Sequence, residues 1–184
     1  FWWTGKFIAV SHISSAFFAS KFDKAIGLSI DGSGDFTTLM IAECTPNKIT
    51  IKNKLHFPDS LGIFYHAMTQ FIGFKNFGDE YKMMGLASYG KPIYFQKILD
   101  NLFLNSKNFF KLNLDYFNHN NKNFNYSHIN STNIPLIYND KLNTLFKDEI
   151  TSVNPEIFKK NFACSVQKVY EFFFKKILNK IISN

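Results

Sequence analysis

With 184 residues, 46% of them hydrophobic, the chain is long enough to bury a sizeable core and too apolar for a disordered tail. Aromatics make up 18% and Phe alone 23 residues, yet no run approaches the roughly 18 uncharged apolar residues that a bilayer-spanning helix requires. The formal charge is +7 and all 21 basic residues are Lys, which argues against nucleic acid as a partner, because readers of bases and phosphates lean on the planar guanidinium.

The chain opens on Phe1 with FWWTGKFIAV, which has neither the basic start nor the small-residue cleavage site of a secretory signal, and the expectation is a start inside a longer protein. SSAFFASKFDKA then predicts a small-residue helix and a turn. AIGLSI, 25–30, reads as a buried strand ending in DGSGD, whose glycines suit a tight hairpin turn. FTTLMIAE, 36–43, returns as a second strand, TPN at 45–47 turns, and ITIKNKLH alternates as a third, giving an antiparallel meander. From Asp59 or Ser60, either of which could cap a helix, Leu61, Tyr65, Met68 and Ile72 share a helical face that is expected to pack on the sheet.

GDEYKMMGLASYGKP, 78–92, reads as a glycine-rich loop entering a short helix, IYFQKILDNLF as an amphipathic helix, and FFKLNL as a short strand. The Asn-rich text at 115–133 predicts a mobile surface excursion. Pro155 opens a long helix whose Phe158, Phe162, Val166, Val169, Phe173, Ile177 and Ile181 form one apolar face in need of a partner, either the sheet or a lobe outside this chain.

SIDGSGD carries the most chemistry. A strand that ends in Asp-Gly-x-Gly presents backbone N–H groups as an anion nest beside a carboxylate able to ligate a metal, although Asp-Gly strings are also common as plain turns. His12 stands upstream across the predicted helix and turn, so its imidazole and the Asp31 carboxylate could return to one site. That donor pair suits a borderline divalent metal such as Fe(II) or Zn(II), though two ligands fall short of a catalytic centre, and a structural His is the alternative. In GDEYKMMGLASYG, Glu80 and Lys82 beside Gly85 and Gly90 could meet a nucleotide, with Lys82 as a point charge near phosphate and the glycines letting backbone approach the ligand. The alternative is a solvated Glu/Lys pair on a helix whose Met83, Met84 and Leu86 face the core. His56 and His66 are expected at strand and helix surfaces, and His119 and His128 in the Asn-rich stretch without a third ligand. Cys44 and Cys164 have no metal-type spacing, and a reduced, cytoplasmic setting is expected.

Five blocks in this order, HISSAFFASKFDKAIGLSIDGSGDFTTLMIAE, FPDSLGIFYHAMTQFIGF, GDEYKMMGLASYGKP, LNLDYFN and FACSVQKVYEFFFKKIL, resemble the carbamoyltransferase family of nodulation and antibiotic O-carbamoyltransferases. The resemblance implies an α+β or α/β piece, 1–184, of the family's amino-terminal domain, an actin-like ATPase fold of the sugar kinase, Hsp70 and ribonuclease H-like type, with a YrdC-like carboxy-terminal domain lying outside it. It implies a reaction in which ATP and carbamoyl phosphate give carbamoyl-adenylate, whose carbamoyl group passes to a hydroxyl of a sugar or small acceptor at a metal, usually iron.

Carried over residue by residue, the second histidine of the family's H-x-x-x-H block falls on His12 and the aspartate of its V-D-G block on Asp31, as metal ligands. Gly32, Ser33 and Gly34 fall where the nucleotide's phosphates are gripped, and Glu80, Lys82 and Gly85 beside the nucleotide. The first histidine would fall on Ile8, a departure from the pattern. The resemblance is compatible with a homodimer and implies no membrane. Two other readings stay open: a threonylcarbamoyl-type relative acting on tRNA, which the absence of Arg disfavours, and a non-catalytic nucleotide- or partner-binding module, which Ile8 favours.

Overall fold

The computed structural model describes residues 7–76, 78–121 and 135–183. They fall into two compact units, the first running to Ile63 and the second from Phe64 onward.

In the first unit, α1 (Phe7–Phe18) precedes β1 (Ala25–Ile30), β2 (Thr37–Thr45) and β3 (Lys48–His56). The strands pair antiparallel in the order β1-β2-β3, so the predicted meander is the one that forms. Leu28 faces Ile41 across one ladder, and Thr45 pairs with Lys48 around a two-residue Pro46–Asn47 turn. The central strand is buried along most of its length, as an uninterrupted LMIA run demands. One face is covered by α1, whose Ala9, Ile13 and Phe17 recur every four residues and pack on Met40, Ala42 and Cys44. A Cβ added to Gly27 would lie 2.4 Å from Ile13 Cγ2, so the missing side chain on β1 sets how closely the helix rests on the sheet. The helix starts in FIAV, several residues before the predicted SSAFF segment.

The turn between β1 and β2 corrects one expectation. Positive φ falls on Asp35 (48°) and Phe36 (63°), both within a short 3₁₀ turn over Gly34–Phe36, and not on Gly32 or Gly34. Gly32 itself has open space where a Cβ would stand, and the close approach beside it belongs to Gly62. A Cβ on Gly62, in the first turn of α2 (Leu61–Phe71), would sit 2.8 Å from the Gly32 Cα and N. Ser60 caps that helix as predicted, its Oγ accepting from the Ile63 N–H at 3.1 Å.

The second unit holds most of α2 with α3 (Glu80–Ala87), α4 (Phe95–Leu102), α5 (Asp140–Leu145), α6 (Lys147–Ser152) and α7 (Pro155–Ile182). Helix α7 is defined at its start by Asn154, whose side chain accepts from the Glu156 and Ile157 N–H groups, with Pro155 in the first turn. Its predicted apolar face finds partners inside this unit, in α3, α4 and α6. Phe158 and Phe162 join Phe71, Tyr94 and Phe146 in one aromatic cluster, and Phe173 stacks on Phe103 with ring centres 4.4 Å apart.

Four further expectations change here. FFKLNL forms only a single bridge, Phe103 with Leu112, because it turns straight back after α4. The Asn-rich stretch is no simple surface excursion over its described part: Phe117 bridges Tyr138, the Asn118 amide donates to the Leu136 and Tyr138 carbonyls, and His119 is buried. Residues 122–133, with His128, lie outside the described residues. Met84 is exposed while Met83 is buried, since one step along a helix turns a side chain about 100° away. His66, expected at the surface, is buried against a carboxylate.

Candidate functional site

The first unit brings His12 and Asp31 together. β1 delivers Asp31 at its end, where the Asp31 N–H still donates to the Thr38 carbonyl at 2.9 Å. Its carboxylate is oriented locally, since Oδ1 accepts from the Gly32 N–H at 2.7 Å, and Oδ2 lies 3.9 Å from His12 Nδ1 on α1. Ser60 Oγ donates to the Asp31 carbonyl at 3.0 Å, so the cap of α2 also fixes the residue's backbone. Both side chains are open to solvent, His12 at 58% and Asp31 at 32%. Asp35 faces the same helix start, its Oδ2 accepting from the Ile8 N–H at 3.2 Å. Of the expected anion nest, the Gly32 N–H is taken up by Asp31's own carboxylate. Gly34 is kept small by its surroundings, because a Cβ there would lie 2.5 Å from Asp31 Oδ2 and 3.0 Å from Ile8 Cγ2.

A divalent metal at this place needs three or so protein donors. Among the described residues no group of three or more His, Cys, Asp or Glu could hold one. His12 and Asp31 match a borderline metal in kind but not in number, and Ile8, one turn before His12, carries no donor. The set does not amount to a metal centre.

The second unit holds the other predicted residues on α3. Glu80 opens the helix and its Oε1 meets Nδ1 of the buried His66 at 2.5 Å. The hydrogen bond from His66 holds the Glu80 carboxyl below its ordinary range, against burial and the nearby Asp79. Lys82 is paired at 2.6 Å with Asp79, a buried carboxylate that also accepts from the Asn76 N–H and side-chain amide. That pairing raises the Lys82 ammonium and lowers the Asp79 carboxyl. Lys82 is thus held within an internal ion pair. Gly85 is exposed, with nothing within 4 Å of where its Cβ would stand.

His66, Asp79 and Asp35 are the partners that sequence reasoning missed, and Ser60 was expected only as a helix cap, not as a partner of Asp31. The spacing of Asp79 and Lys82, one helical turn apart, was the available signal for that pair. Nothing local announces His66 and Glu80, which come from different helices.

The family model described as "Carbamoyltransferase N-terminus" matches residues 8–183. An uncharacterised protein of Synechocystis sp. is 47% identical over 110 residues, 59% of this chain and 18% of that protein. Nodulation protein NolNO of Sinorhizobium fredii is 40% identical over 101 residues, 50% of this chain and 14% of its own length. Nodulation protein NolO of Bradyrhizobium diazoefficiens is 41% identical over 83 residues, 44% of this chain and 15% of its own length. The chain thus spans less than a fifth of each of these relatives. The match covers the sheet unit and the helical unit alike, and the chain belongs to the carbamoyltransferase family, to the part that the family model describes as its N-terminus.

Proposed function

We propose that the chain is part of an O-carbamoyltransferase with an actin-like amino-terminal domain, which passes the carbamoyl group of carbamoyl phosphate, by way of a carbamoyl-adenylate made with ATP, to a hydroxyl of a sugar or small-molecule acceptor. The observation that carries the reading is the family match over 8–183, joined to the meeting of His12 and Asp31 at the end of β1. In the transfer step the acceptor oxygen bonds to the carbamoyl carbon, the carbon–oxygen bond to AMP breaks, and the hydroxyl proton is lost to a base. The open turn of Gly32, Ser33 and Gly34 is the proposed neighbour of the nucleotide's phosphates in the first unit. Glu80, half-exposed and kept ionised, is a proposed hydrogen-bond acceptor for the nucleotide, with Lys82 and the open Gly85 on the same helix. A cytoplasmic setting fits the free thiols Cys44 and Cys164.

A divalent ion such as Fe(II) is proposed at His12 and Asp31 only with donors supplied from outside the described residues, and no step is assigned to it. A second reading, a non-catalytic nucleotide-binding module, is favoured by Ile8 where the family pattern calls for histidine. Equilibrium dialysis of the chain with Fe(II) and with ATP separates the two. Binding of both, lost in His12→Ala and Asp31→Ala, supports the transferase reading. ATP binding without metal supports the module, and binding of neither contradicts both.

A further inference from the structure

His66 on α2 is only 8% exposed, and its Nδ1 sits 2.5 Å from Oε1 of Glu80 on α3. An ionised carboxylate only accepts hydrogen bonds, so Nδ1 carries the shared hydrogen. The Glu80 side chain keeps 35% of its surface, so a residue held by His66 still reaches solvent with part of its side chain. We propose that His66 is a positioning residue, which fixes the Glu80 carboxylate so that it can accept hydrogen bonds from a ligand's hydroxyl groups. The inference rests on the reading of Glu80 as a nucleotide contact, in which case those hydroxyls are the ribose's.

The charged and titratable groups around the pair leave this task to His66. From α3 and the residue before it come Lys82 and Asp79, paired with each other. From α2 comes Tyr65, whose hydroxyl donates to Gln167 Oε1 at 2.9 Å and whose phenol is pushed up by burial and by Tyr170, Glu80 and Glu171. From α7 come Tyr170, stacked edge-on against Tyr65, and Glu171, which takes hydrogen bonds from Gln167 and Lys168. All of these except Lys82 are neutral or acidic at neutral pH or, in the case of Lys168, turned to Glu171. The hydrogen bond from His66 is the largest influence keeping Glu80 ionised. A free carboxylate on a short helix would sample several rotamers, and a fixed one loses less freedom when a ligand binds.

The test is a carbon-13 NMR titration of the Glu80 carboxyl in the full chain, in His66→Leu and in His66→Asn, with ATP titrations on the same three proteins. The Glu80 midpoint should rise by about one pH unit or more in His66→Leu. It should rise only partly in His66→Asn, whose amide can still donate from near the Nδ1 position. ATP affinity should fall roughly tenfold in His66→Leu, with partial rescue in His66→Asn, and should begin to weaken at a higher pH as acid is added. If His66→Leu does not fold, His66→Asn and the parent carry the comparison. An unmoved Glu80 midpoint overturns the proposal, as does a moved midpoint with equal ATP affinity in the parent and His66→Leu. A moved midpoint with no ATP binding by any of the three supports His66 as the residue that fixes Glu80 and refutes the nucleotide reading alone.

Discussion

Glu43 shows how much a single charged side chain can be shaped by the sheet around it. Lys24 and Lys52 each approach its carboxylate to 2.7 Å, and these hydrogen bonds, with Lys24 foremost, pull the carboxyl down to about 2. A carboxyl lowered in the folded state stabilises the fold fully above its unfolded value, about 4.3, and that contribution is lost as pH falls toward the folded value. Both lysines are exposed and Glu43 is only partly buried, so salt screens the effect and its size is small. An NMR titration should place the Glu43 midpoint near 2 at low salt and higher at high salt, and an ordinary midpoint insensitive to salt would contradict the assignment. A second prediction at this scale concerns Ile8, one turn before His12 on α1 and close to Asp31 across Gly34. Ile8→His adds a third donor to the pair and should tighten Fe(II) or Zn(II) binding at least about tenfold over the parent, the difference between two and three protein ligands. Unchanged affinity by metal titration would show that His12 and Asp31 do not face a common ion. Asp31 and His12 were legible as a pair because only the rest of one helix, a turn and one strand separate them in sequence, so β1 can return Asp31 to the helix that carries His12. Met84 was misread because residue type alone does not fix which side of a short helix it faces.

Among the elements, those set by local chemistry were legible and those set by distant partners were not. The three strands announced themselves by β-branched residues and turn signals, and α2 and α7 by Ser60 and Pro155 at their starts. Asn154→Ala should cost about 1 kcal/mol, read as a shift in the chemical-denaturation midpoint, because two N–H groups of α7 lose their acceptor. An unchanged midpoint would mean that water replaces the cap at no cost. Gly90 was visible in the sequence as part of a glycine-rich block, which invited a ligand-binding reading, yet its neighbour is α7: a Cβ there would lie 2.0 Å from the Lys160 carbonyl oxygen. The same junction is tied by the Lys91 N–H to Asn161 Oδ1 and by the Tyr94 N–H to Ser165 Oγ. Gly90→Ala should therefore destabilise the fold by about 1–3 kcal/mol through overpacking against backbone, with no direct effect on nucleotide affinity. A stable Gly90→Ala protein with weakened ATP binding would restore the ligand-binding reading. The FFKLNL segment failed as a strand because it only turns back onto Phe103, and the stretch around His119 failed as a surface excursion because it pairs with 136–138, which no local pattern reveals.

At the scale of the whole molecule, the chain carries two cores of different make. Aliphatic and small side chains fill the space between α1 and the sheet, while interlocking Phe rings fill the helical unit. Phe162, fully buried in that cluster, should cost about 3–5 kcal/mol when cut to Ala, and calorimetry on the variant checks it. The order of motif blocks made the family readable across both units, because block order records the fold even where single blocks are weak. The partnership of His66 with Glu80 was not readable at that scale, since it depends on how α2 and α3 meet, whereas Asp79 and Lys82 pair locally, one helical turn apart. The proposed role, a nucleotide-handling segment of an O-carbamoyltransferase, is tested most directly by calorimetric titration of the chain with ATP, alone and as Asp31→Ala and Glu80→Gln. It predicts saturable binding by the parent, weakened about tenfold or more in each variant, in keeping with the loss of a charged hydrogen-bonding group. Absence of binding by the parent, or equal binding by all three proteins, would contradict it.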